Sequence, residues 1–163
     1  MSSAVELALD RRSVCYMNGV EVLNSVGHAK GQWVYHIEWC PKYRYSLFGK
    51  ESHKIDMESI LRKIVVDYGM KLLELAVMPD HFHTVVEVPP SMSLGKASNL
   101  LKGRSAYEFF RKHPNMRLRY PKGHLWGLGK FYRTTGTVDL EKTRWYVRNQ
   151  TDIHQTKIVQ YTA

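Results

Sequence analysis

Apolar and polar positions alternate from Trp33 to Cys40, with Trp33, Tyr35, Ile37 and Trp39 on one face. That period of two predicts a strand, stopped by Pro41. From Ile55 to Tyr68 the spacing becomes helical, with Met57, Ile60, Leu61, Ile64, Val65 and Tyr68 in one stripe before Gly69. Leu72–Met78 and His81–Val88 read as two more strands joined by the Pro79-Asp80 turn, hence an antiparallel hairpin ended by Pro89-Pro90. Ser93 is placed to cap a helix running to about Lys112, with Leu94, Ala97, Leu100 or Leu101, and Phe109 facing inward. A glycine-interrupted segment, Leu125–Tyr132, predicts a strand or ribbon. After a loop at Thr134–Thr137, Asp139 is a good cap for a last helix from Leu140 to about His154.

The order strand, helix, strand, strand, helix, strand, helix fits an α+β fold of the ferredoxin-like, RRM-like kind: a split β-α-β antiparallel sheet, helices on one face, and an added C-terminal helix. Residues 1–30 form a mixed extension, with a short helix expected over Ala4–Arg12 and a turn at Asn18-Gly19. Residues 31–163 are expected to form one domain.

Composition narrows the class. The chain has 163 residues, 44% of them hydrophobic, enough for one packed core and too apolar for a disordered chain. Cys15 and Cys40 are too few and too far apart for a zinc knuckle or a disulfide framework, so a cytoplasmic location is the expectation. No run approaches the ~20 apolar residues of a membrane span, and Met1–Ala8 lacks the basic start of a signal peptide. Neither a membrane partner nor a small-molecule substrate is expected.

The net charge of +9 is concentrated. Lys102, Arg104, Arg111, Lys112, Arg117, Arg119, Lys122, Lys130 and Arg133 are opposed only by Glu108 in that stretch. Tyr107, Phe109, Phe110, Tyr120, Trp126, Phe131 and Tyr132 are interleaved with them. Cations release counterions from phosphates and rings stack on unpaired bases, so this segment predicts nucleic-acid binding. The plainer alternative is a solvated basic face over core aromatics.

Two small constellations carry candidate chemistry. His81-Phe82-His83 on a strand turns both imidazoles to one face, where they can share a metal ion, and Phe82 to the core. Alone the motif is weak: eight His in this length give about 0.4 such pairs by chance. Tyr146 and Gln150, four apart on the last helix, project side by side. A packing Tyr and a solvated Gln are the plainer reading of that pair. Combined, two imidazoles and an amide oxygen make an open three-donor site that accepts Mg²⁺, Mn²⁺ or Co²⁺, although an imidazole pair is softer than Mg²⁺ ideally wants. Beside it, a phenol with a pKa near ~10 can attack a phosphodiester once the phosphate charge is offset.

These segments resemble a known family. Val77-Met78-Pro79-Asp80-His81-Phe82-His83 is similar to the "MPDH-U-H" signature, U being apolar, of the small single-tyrosine HUH transposases of the IS-two-hundred/IS-six-hundred-and-five group. Trp39-Cys40-Pro41-Lys42-Tyr43-Arg44-Tyr45 resembles their "WCPKYR" strand. Phe131-Tyr132, Thr135-Gly136 and Tyr146 to Gln150 resemble their ribbon, loop and "Y-[IV]-x-x-Q" helix, so the likeness spans about 33–155. It implies that His81, His83 and Gln150 hold a divalent metal, Mg²⁺ or Mn²⁺, and that Tyr146 is the nucleophile. It also implies a homodimer whose tyrosine helix completes the partner's site, acting on single-stranded DNA with hairpins at element ends through a 5′-phosphotyrosine. Phe82 is bulkier than the family's usual aliphatic.

A non-catalytic RRM-like binder of single strands is the alternative of another class. It explains the charge and rings but leaves Tyr146, Gln150 and the His pair without a role, and the RRM aromatic signature is absent.

Overall fold

The computed structural model describes residues 14–17, 20–26 and 29–150, with side chains for 31–136 and 140–150. The chain divides into two compact units, Met1–Gln32 and Trp33–Ala163. In the first, β1 (Val14–Met17), β2 (Val20–Val26) and β3 (Ala29–Gly31) form an antiparallel sheet in that order. The expected helix over Ala4–Arg12 and the Asn18-Gly19 pair lie outside the described residues. Met17 does pair with Val20 across that junction.

The second unit runs β4 (Val34–Trp39), α1 (Glu51–Asp67), β5 (Lys71–Val77), β6 (Phe82–Glu87), α2 (Leu94–Lys112), α3 (Met116–Arg119), β7 (Phe131–Thr134) and α4 (Thr137–Arg148). Its sheet has the order β5-β6-β4-β7, antiparallel at each pairing. Each of α1 and α2 thus crosses over between two parallel strands that are separated by a third. That is the ferredoxin-like arrangement the element order predicts.

Strand alternation sorts the sheet into two faces. Ile37, Trp39, Phe82 and Val86 pack against Met57, Leu61 and Ile64 of α1 and Ala97, Leu101 and Phe109 of α2 in the main core. The opposite face carries Val34 and Val85, covered by Val147 of α4.

Local signals explain most boundaries. Ser93 Oγ accepts from the Lys96 amide at 3.2 Å and starts α2. Gly69, at φ 66°, ends α1, with Met70 N donating to Val65 O at 2.9 Å and Gly69 N to Val66 O at 3.1 Å. These bonds satisfy carbonyls that the helix end would otherwise orphan.

Three expectations are corrected. The α1 helix begins at Glu51 rather than Ile55. Its first turn is polar, so the apolar stripe does not mark it, and buried His53 bonds the Leu47 carbonyl at 3.0 Å instead. Leu125–Tyr132 is not a continuous strand. Trp126 makes a single bridge to Pro41, and β7 starts only at Phe131, because this stretch bonds backwards to the 40–42 turn. Finally, α4 starts at Thr137 with Gly136 as its N-cap, not after Asp139. Extended Gly136 serves as well at that position, with Leu140 N closing on its carbonyl at 2.9 Å.

Candidate active site

Pairing of β6 with β4 and β5 sets His83 opposite Glu38 on one side and Ala76 on the other. Phe82 is 0% exposed in the main core, which turns His83 to the α4 face. His81 sits in the turn just before β6, its ring centroid 5.0 Å from that of His83. The spacing of the motif therefore brings both imidazoles together, as the sequence predicts.

Helix α4 reaches the same place by packing. Val147 is fully buried against Val34 and Val85, with Leu140 beside them. Arg144 and Arg148 both donate to Glu74 Oε1 on β5, the former at 3.1 Å. The helix thus docks on β5 and β6 of its own sheet. Docked this way, Tyr146 stands edge-on to His83 with centroids 6.0 Å apart, and 40% of it remains exposed. A cleft of about 440 Å³ opens there, walled by His36, Glu38 and His83, by Phe131 and Arg133 of β7, and by Lys142 and Tyr146 of α4. Gln150, one turn beyond Tyr146, is 3% exposed.

Each of the two imidazoles is held at Nδ1. His81 Nδ1 lies 2.6 Å from Asp80 Oδ1, and Arg44 grips the other Asp80 oxygen through Nε at 3.2 Å and Nη2 at 3.0 Å. Burial alone would raise the Asp80 pKa, but the His81 hydrogen bond and Arg44 outweigh it and hold the carboxyl below its usual range. Arg44 reaches Asp80 from a turn in which Tyr43 and Arg44 both take positive φ, 64° and 52°. Two successive non-glycine residues in that region are strained, and this turn lies in the "WCPKYR" segment.

His83 Nδ1 lies 3.1 Å from His36 Nε2 and 3.5 Å from Glu38 Oε2. Burial, aided by Arg133, pushes the His36 pKa down and favours its neutral form. Sequence reasoning missed His36 and Glu38. The β4 alternation places them opposite Ile37 and Trp39, but only strand pairing reveals His83 as their neighbour.

An imidazole engaged at Nδ1 presents Nε2 to a ligand, and a carboxylate on Nδ1 is a common support of metal-bound His. Among the described residues no three His, Cys, Asp or Glu side chains cluster to hold a metal.

The basic segment does not form one face. Lys102, Arg117 and Lys130 line a separate groove of about 580 Å³ beside α2, together with exposed Tyr107 and Leu128. Arg133 instead lines the Tyr146 cleft. Lys102 Nζ bonds the carbonyls of Gly127 at 2.6 Å and Gly129 at 3.4 Å, pinning that loop. Arg104 and Arg111 flank Glu108, Lys112 pairs with Asp56 at 2.8 Å, and Arg119 lies over the Tyr45 ring. Of the interleaved rings, Phe109, Phe110, Tyr120 and Trp126 are core, while Tyr107, Phe131 and Tyr132 are exposed. None of the helices among the described residues is long and apolar enough to cross a membrane.

Comparison with known proteins identifies the family and agrees with the fold. Residues 29–150 match the family described as IS200-like transposases. The transposase for insertion sequence element IS200 of Salmonella typhimurium is 30% identical over 126 residues, 77% of this chain and 82% of that protein. The ISDra2 transposase TnpA of Deinococcus radiodurans is 29% identical over 121 residues, 74% and 86%. A crystal structure of a Deinococcus radiodurans transposase superposes with a TM-score of 0.62 at 28% identity, covering 78% of this chain and 96% of that one. A REP-associated tyrosine transposase bound to a REP hairpin shares the fold, with a TM-score of 0.57 at 12% identity over 80% and 74% of the two chains. With residues 29–150 matched, most of its length, this chain belongs to the IS200-like transposase family.

Proposed function

We propose that this transposase cuts and rejoins single-stranded DNA at hairpin-bearing element ends through a phosphotyrosine on Tyr146. The observation that carries the reading is the Tyr146 ring standing 6.0 Å from His83 in an open cleft. Tyr146 Oη attacks the phosphorus, the bond from phosphorus to the 3′ oxygen breaks, and the phenolic proton passes to water. The leaving oxygen takes up a proton to become a free 3′-OH, and the 5′ phosphate stays on the tyrosine. Attack by another 3′-OH reverses the step and releases Tyr146, so no nucleotide cofactor is consumed.

The donor set fits a divalent cation. His81 and His83 would offer Nε2, and the buried Gln150 would add its amide oxygen as a third donor. Mg²⁺ or Mn²⁺ bound there would supply Lewis acidity that offsets charge on the phosphate. Arg133 and Lys142, which line the cleft, draw the DNA backbone toward Tyr146. Among the described residues β7 is the outer strand of its sheet and each of its four residues is exposed, which supports pairing of two sheets edge to edge in a homodimer.

Labelled single-stranded DNA carrying an end hairpin and its flanks tests this reading on a denaturing gel. A protease-sensitive shift formed with Mg²⁺, absent with EDTA and lost in His81→Ala, is the expected result. Binding without an adduct across several metals and end sequences would favour the RRM-like binder.

A further inference from the structure

We infer that His36 and Glu38 are positioning residues for His83, fixing which of its nitrogens faces the cleft. The inference rests on the reading of His83 as a metal ligand.

His36 and Glu38 stand two apart on β4, so both point to the His83 side of the sheet. Glu38 is directly opposite His83 in register, and His36 is its diagonal neighbour, opposite Val85. The His36 and His83 rings stack with centroids 5.3 Å apart and planes at 22°. Both are nearly buried, at 9% and 3% exposure, so neither ring is held merely by solvent.

Two hydrogen arrangements are compatible with the 3.1 Å contact from His36 Nε2 to His83 Nδ1. Either His83 donates from Nδ1, or His36 donates from Nε2. Glu38 Oε2, 3.5 Å from the same Nδ1, decides between them. A carboxylate at that distance favours the positive end of an N–H over a lone pair on the nitrogen it faces. His83 therefore carries its hydrogen on Nδ1 and its lone pair on Nε2. His81 reaches the same state through Asp80 at 2.6 Å. The two imidazoles, recruited from different ends of one short motif, are thus set alike by carboxylates from different places: Asp80 in the turn and Glu38 on the neighbouring strand. The alternative arrangement would put a hydrogen on Nε2 and close His83 to a cation.

Long-range ¹H–¹⁵N spectra of the full-length, metal-free chain at about pH 8, where unperturbed imidazoles are neutral, read the tautomer directly. Electron paramagnetic resonance titration with Mn²⁺ alone reads the affinity. The wild type should show His83 as the Nδ1–H tautomer. Glu38→Leu, at a half-exposed position, should mix the tautomers and weaken Mn²⁺ binding about tenfold with the thermal midpoint unchanged. His36→Phe keeps the stacked ring and should weaken binding similarly. A wild-type His83 protonated on Nε2, or Glu38→Leu with wild-type tautomer and Mn²⁺ affinity within about twofold, would overturn the inference. Undiminished Mn²⁺ binding in His83→Ala would instead remove the ligand assignment on which it rests.

Discussion

Arg144 donates from Nε to Glu74 Oε1 at 3.1 Å, tying the tyrosine helix α4 to edge strand β5. Arg148 donates to the same oxygen one turn later. Since Tyr146 lies between these two arginines in sequence, their hold on Glu74 sets its distance from His83. Burial would raise the Glu74 pKa, but the bonds from Arg148 and Arg144 outweigh it and lower the value. A lowered folded pKa means the tie is fully present above the ordinary 4.5 and is lost as pH falls through the lower folded value. Amide shifts of residues 140–148 should therefore hold steady above about pH 4.5 and move together below it. Arg148 is largely solvent-exposed, so solvent screening weakens its share of the tie. Glu74→Ala should slow adduct formation up to about tenfold with hairpin affinity unchanged; equal rates would show that the tie does not position Tyr146.

Asp80 makes a second prediction. Asp80→Asn keeps the size of the side chain but removes the charge that orients His81 and answers Arg44. Metal affinity should fall about 10- to 100-fold, as for other supports of liganding His. Calorimetry with Mn²⁺ measures this, and unchanged affinity would show that Asp80 serves only the turn.

Phe82 separates core from chemistry within one motif. Its ring is edge-on to Trp39 at 4.0 Å and to Trp126 at 5.3 Å, with no exposure. Phe82→Ala should cost about 3 to 5 kcal/mol in denaturant unfolding. Phe82→Leu should cost less than half as much and leave Mn²⁺ affinity intact. A lost metal site in a folded Phe82→Leu protein would contradict the division of faces.

What the sequence makes legible follows from period. The His81, Phe82, His83 alternation, the α1 stripe and the Ser93 cap are local signals, and each survives in the structure. The contacts that shape the site are not local. His36 meets His83 across 47 residues, and Glu74 meets Arg148 across 74. No periodicity within β4 or β5 announces such partners, so Glu38 and Glu74 read as ordinary surface acids until the strands are paired. Nor does the alternation reveal that Val34 and Val85 form a second, smaller apolar patch, because on the second face of β6 Val85 stands between His83 and Glu87. That patch is what seats Val147 and brings the tyrosine home. The charge cluster misleads in the other direction: a continuous basic stretch in sequence becomes two grooves and several internal ion pairs in space.

The most direct test of the central claim is to locate the covalent bond. The protein is incubated with Mg²⁺ and single-stranded DNA bearing an end hairpin, digested with protease and nuclease, and mapped by mass spectrometry. The account predicts a nucleotide attached through its 5′ phosphate to the peptide containing Tyr146, and no adduct in Tyr146→Phe despite wild-type hairpin binding. An adduct on Tyr132, or cleavage persisting in Tyr146→Phe, would contradict it.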